Sequence, residues 1–124
     1  MKLVSIASLA LVAAALAGCS FQNKYEREAD AITRAVMNND LRPVSGDISP
    51  RVKITRVQIA TISDELNEQG KLISIKESTQ GCPAGVHCFV AKFEKHEYVE
   101  TMRLDETGKV VDWHVHMAPV ASGT

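Results

Sequence analysis

Apolar and polar positions change period once along the chain, and the change divides it into a helical part and an alternating part. Tyr25, Ala29, Ile32 and Val36 recur at steps of four, three and four, with Glu26, Arg27, Asp30, Thr33 and Arg34 between them. That spacing puts one apolar stripe on a helix and predicts an amphipathic helix over residues 24–38, stopped by Asn38-Asn39-Asp40. Leu41 to Pro50 holds Pro43, Gly46 and Pro50 and is read as a loop with room for one short helical turn. After Pro50 the pattern alternates, and five strand-like runs follow: Val52 to Ile62, Leu72 to Thr79, Val86 to Phe93, Tyr98 to Leu104 and Val110 to Met117. Asn67-Glu68-Gln69-Gly70-Lys71 and Asp105-Glu106-Thr107-Gly108-Lys109 each place a glycine where a bulged hairpin needs positive φ, so the flanking runs are expected to pair antiparallel. The expected fold is α+β: one N-terminal amphipathic helix packed on a four- to five-stranded antiparallel meander. The domain spans 24–117, and 118–124, with Pro119 and Gly123, is expected to be a flexible tail.

Ahead of the domain lies a different pattern. Met1-Lys2 is followed by an apolar stretch from Leu3 to Ala17 broken only by Ser5 and Ser8, the layout of a secretory signal. It falls short of the ~20 apolar residues that cross a bilayer, and Gln22, Asn23 and Lys24 follow soon after. The stretch ends in Leu16-Ala17-Gly18-Cys19, which resembles the lipobox of bacterial lipoproteins. The resemblance implies a signal peptide over 1–18, cleavage before Cys19 and acylation of that cysteine, with 19–23 as a short lipidated linker. Two or more acyl chains at ~0.8 kcal/mol per buried methylene hold a protein stably on its membrane. Ser20 in place of an aspartate favours, in the Gram-negative members, the outer membrane facing the periplasm.

Composition then narrows the partners. The 124 residues carry 14 Lys+Arg against 15 Asp+Glu, a formal net charge of -1, which gives no electrostatic support to nucleic-acid binding. With Cys19 lipidated, the three cysteines reduce to the pair Cys82 and Cys88, and an even remainder in an oxidising compartment predicts a disulfide. Pro83 and Gly85 help the intervening loop turn, and closing a loop of about seven residues is worth roughly 2 kcal/mol in the chain-entropy account.

Chemistry is sparse. Alternation in the last strand puts Val111, Trp113, Val115 and Met117 on one face, with Trp113 the first choice for the core, and Asp112, His114 and His116 on the other. Two histidines ~7 Å apart along a strand could converge on zinc or copper; a solvent-facing polar row is the competing expectation. In the preceding strand alternation puts Glu100 on the apolar face with Tyr98, Met102 and Leu104, with a bulge that turns it outward or a place at the open rim of the sheet as the competing expectation. A carboxyl there needs a partner, and if a ligand pocket separates helix from sheet, Glu100 and Tyr98 are its expected residues. His87 and His96 carry no pattern of their own. No nucleophile elbow, phosphate loop or zinc-protease pair occurs, so no enzyme class is favoured and no cofactor is expected. The helix-then-meander order resembles small lipoproteins with a cystatin-like or nuclear transport factor-like domain. The combined expectation is a membrane-anchored envelope lipoprotein whose small non-enzymatic domain binds an envelope protein or another envelope component, with a helix–sheet ligand pocket or a His114/His116 metal site as alternatives.

Overall fold

The structure, a computed structural model, describes residues 21–119. The signal stretch, Cys19, Ser20 and residues 120–124 of the expected tail lie outside the described residues. The first helix, α1, runs Lys24–Met37. Asn23 caps it: its side chain accepts from the Glu26 amide at 2.8 Å while the Glu26 carboxylate accepts from the Asn23 amide at 2.8 Å, so two otherwise unpaired donors are satisfied at once. Its buried stripe is Ala29, Ile32, Thr33, Ala35 and Val36, close to the stripe the spacing predicts. A short 3-10 helix, Arg42–Asp47, supplies the helical turn in the connection.

The first of the expected strands is not a strand. Residues Arg56–Glu68 form a second helix, α2, so the described residues hold two α-helices where the sequence pattern predicts one. The β-branched run Val57-Gln58-Ile59-Ala60-Thr61-Ile62 has a modest intrinsic preference against helix, at most ~0.7 kcal/mol per residue. A second capping box outweighs it: Thr55 accepts from the Gln58 amide at 3.1 Å and Gln58 accepts from the Thr55 amide at 2.8 Å. Ile59, Ser63 and Leu66 then bury one face at helical spacing. Only Arg51 to Thr55 keeps the alternation, with Val52 and Ile54 half-buried and Arg51, Lys53 and Thr55 exposed.

This changes the role of the Asn67–Lys71 turn. Instead of joining two strands, Gly70, at φ 86°, leads the chain out of α2 into the sheet. A Cβ at that position would collide with the Glu94 side chain, so both backbone and packing require glycine there.

The sheet comprises β1 (Leu72–Glu77), β2 (His87–Phe93), β3 (Glu97–Leu104) and β4 (Val110–Met117), paired antiparallel in the order β1-β2-β3-β4. It is a four-stranded meander, and the Asp105–Lys109 hairpin closes as expected, with Gly108 at φ 87°. Cross-strand neighbours on the inner face include Phe89 opposite Glu100, Ala91 opposite Tyr98, and Met102 opposite Trp113. Cys82 and Cys88 are joined as a disulfide across a Cα–Cα distance of 5.9 Å, stapling the β1–β2 connection to the start of β2.

The helices cover the sheet unevenly. α1 lies over β1 and β2, and α2 packs chiefly on α1. The C-terminal half of α2 approaches the sheet, where Leu66 is fully buried and Glu65 meets Tyr98. Its N-terminal half lifts away, leaving Val57 74% exposed. Trp113, expected in the core, is therefore only half-buried, and Met117 at the far end of the same row is 41% exposed. No helix among the described residues is long and apolar enough to cross a membrane.

Candidate functional site

The wedge left where α2 lifts off is an apolar groove of about 410 Å³. Ile32 and Val36 of α1 form its floor, Val52 and Ile54 one lip, Val57 and Ile62 of α2 the overhanging wall. Val110 and Trp113 close it from β4, and Ile48, which bridges to Val110 in parallel, seals one end. Polar groups sit among this lining at Lys53, Gln58, Thr61, Asp112 and His114. Its size falls within the 300–1,000 Å³ typical of small-ligand sites, and an apolar interior with a few polar groups is their usual composition.

Glu100 lies behind the Trp113 wall. It is fully buried, as the alternation in β3 places it, and does not line the groove. The Trp113 indole Nε1–H donates to its Oε1 at 3.2 Å, and Thr33 Oγ1 lies 2.7 Å from its Oε2. Thr33 Oγ1 is also 2.7 Å from the Ala29 carbonyl oxygen, which can only accept. One hydroxyl has one proton, so both contacts are hydrogen bonds together only when Glu100 is the acid: Thr33 donates to Ala29, and the carboxyl O–H of Glu100 donates to Thr33. Loss of solvent pushes the Glu100 carboxyl up to about 7, against the lowering effect of the Trp113 hydrogen bond and with a further rise from the charge of Asp30; a Thr33 hydroxyl that donated to the carboxylate would lower it, but only by giving up its bond to Ala29. The geometry and the electrostatics agree on a neutral carboxyl at mildly acid pH.

Tyr98 is fully buried beside Phe93, whose ring meets it edge-on at 5.4 Å, and its hydroxyl donates to Glu65 Oε2 at 3.0 Å. Burial, then Glu65, push the phenol up to about 12, so it stays a donor at any ordinary pH. Like Glu100, Tyr98 belongs to the packed interface between helices and sheet and does not line the groove. Glu28 is half-buried with Oε2 unpartnered, and burial followed by neighbouring Asp47 raises its carboxyl above the usual range.

The β4 histidines are both exposed. His114 Nε2 meets Asp112 Oδ1 at 2.8 Å, and among the described residues no group of three or more His, Cys, Asp or Glu side chains is arranged to hold a metal. His87 stacks on Tyr25 at 4.0 Å and bonds Glu77 at 2.9 Å, tying the start of α1 to β2. His96 meets Gln69 at 2.6 Å beside the α2–β1 turn.

Sequence reasoning located Glu100 but missed Thr33 as its partner, although Thr33 sits four residues after Ala29 and three before Val36 on the buried stripe. The groove does not follow from the strand that the alternation predicts over Val52 to Ile62. The signal that could have found it is Thr55-Arg56-Val57-Gln58, a capping-box spacing ahead of an apolar run. No known protein-family model matches this chain, and no curated protein is significantly similar to it.

Proposed function

We propose that this protein is a lipid-anchored bacterial envelope lipoprotein, on the outer membrane facing the periplasm, whose small domain works as a binding module for an envelope component. The observation that carries the binding half of this reading is the groove between α2 and β4. A domain selected for packing alone gains by closing such a wedge, at ~25 cal/mol per Å² of apolar surface removed from water. Here Val57 is left 74% exposed at its mouth and Trp113 half-open along its wall. The anchor rests on Leu16-Ala17-Gly18-Cys19, and the oxidised Cys82–Cys88 pair supports an oxidising compartment. The antiparallel meander with α1 across it supports a relation to the small cystatin-like lipoproteins, with α2 as an addition.

Two measurements test the reading separately. Mass spectrometry of the protein from membranes of its native host is expected to find an N-terminal acylated Cys19, and an intact, unmodified Met1 terminus would refute the anchor. A photo-cross-linking amino acid in place of Val57 is expected to form an adduct with an envelope component in intact cells. Recovery of the free monomer alone, under conditions where a control cross-link succeeds, would refute the binding module.

A further inference from the structure

We infer that the groove receives a single-chain amphiphile with an anionic head group, of the fatty-acid class, its chain lying along the apolar walls and its head held at Lys53. The inference rests on the binding-module reading and names the ligand of that same site. Its first support is shape and composition. The groove is of small-ligand size, and the walls that would enclose a chain are Ile32, Val36, Val52, Ile54, Ile62 and Trp113.

The second support is charge. The chain as a whole is near neutral at -1, yet residues 48–63, which supply one lip and the overhanging wall, contain Arg51, Lys53 and Arg56 and no acid. Alternation along Arg51-Val52-Lys53-Ile54 turns the apolar side chains half into the protein and leaves the cations exposed. The Asp105 carboxyl is lowered first by its hydrogen bonds to Thr107 and Lys109, and the charge of Arg51 adds to that. Lys53, which lines the groove, has no ion-pair partner among the described residues. The acid that lines the groove, Asp112, is engaged by His114 at 2.8 Å. An apolar slot lined by one uncommitted cation, Lys53, with its one acid already bonded, is complementary to a hydrocarbon chain ending in a negative charge and less so to the same chain ending in a positive one.

The experiment uses the mature chain with its disulfide intact and the fluorescence of Trp113, the protein's single tryptophan and a wall of the groove. Sodium laurate, dodecanol and dodecyltrimethylammonium, all below their aggregation limits, present one chain with three heads. The expected result is a saturable Trp113 response to laurate, at least tenfold weaker for the cationic compound. Lys53→Glu should weaken laurate at least tenfold and leave dodecanol unchanged. Thr61→Phe, at an exposed position lining the groove, should block all three. Both variants alter exposed positions, and an unchanged urea midpoint verifies their fold.

No saturable response to laurate overturns the inference, and so do equal affinities for the three heads. A response only to phosphatidylglycerol vesicles also overturns it, in favour of docking on a membrane surface. A Val57 cross-link to an envelope protein combined with failure of laurate removes the amphiphile and leaves the binding module. Failure of both removes both.

Discussion

Replacing Glu100 by glutamine should stabilise the domain at alkaline pH and leave it nearly unchanged at acid pH. In the folded protein the carboxyl is raised from 4.5 to about 7 by burial. At ~1.36 kcal/mol per pH unit, a shift of that size corresponds to about 3 kcal/mol of preference for the neutral form. For an acid raised on folding, the unfolded chain releases its proton near pH 4.5 while the folded chain retains it until about 7. Across that window the folded state binds more protons, so stability falls as pH rises and levels off above 7. Glutamine keeps the shape and removes the titration. Its amide N–H can donate to Thr33 Oγ1 as the acid does, and its carbonyl can accept from the Trp113 indole. Urea unfolding monitored through Trp113 at pH 4, 5, 6, 7 and 8, parent against Glu100→Gln, isolates this group from every other. The expected difference is small at pH 4 and grows to about 3 kcal/mol in favour of the variant by pH 8. A difference independent of pH, or a parent more stable than the variant at pH 8, would show that the buried carboxyl is bound as its anion and would refute the proton assignment in the Thr33 network.

Tyr98→Phe removes the hydroxyl that donates to Glu65 at 3.0 Å while keeping the ring against Phe93. The expected cost is about 1 kcal/mol by urea unfolding, and a neutral result would mean that the bond is fully exchanged with water. Gly70→Ala forces a side chain into φ 86° and against Glu94, whose carboxylate also accepts from the Lys71 amide at 2.8 Å. It should cost more than about 1 kcal/mol in the same assay, and retention of parental stability would contradict the left-handed turn into β1.

The parts of the fold that were legible in the sequence are those where periodicity and local chemistry agree. The α1 stripe carries its own caps, β2 and β3 alternate between turns, and the paired cysteines flank a turn-forming loop; in β4 a register shift opposite Arg103 and Leu104 buries Val110 where alternation placed Val111. The two-residue period of β3 put Glu100 on the inner face but left an outward bulge or an open rim equally available, and it is the packing of α1 over that face that buries it. Residues 56–62 were not legible by period, because Val57, Ile59 and Ile62 suit a strand as well as one side of a helix. What separates the two is Gln58 closing back on Thr55, a local bond rather than a pattern. The partner of Glu100 is 67 positions away in sequence, and the groove draws on α1, the connection after it, α2 and β4. Such coincidences depend on the tilt of α2, which no single segment encodes.

That tilt has an identifiable origin. Leu66, fully buried, and Glu65, bonded to Tyr98, hold the C-terminal end of α2 close to β3, where Tyr98 pairs with Met117. At the other end of the same sheet face, Met102 pairs with Trp113, and there α2 offers Val57, Gln58, Thr61 and Ile62 to the space without filling it. Trp113 therefore has two faces with different tasks: its ring edge closes the polar network of Glu100 and Thr33, and the rest of its surface walls the groove. A ligand that displaces the indole must alter its bond to Glu100, and by linkage the protonation of Glu100 must then alter the affinity of that ligand. The buried carboxyl and the open groove are thus two ends of one side chain, which places the only tryptophan of the protein between the interior that stabilises it and the surface that is free to bind.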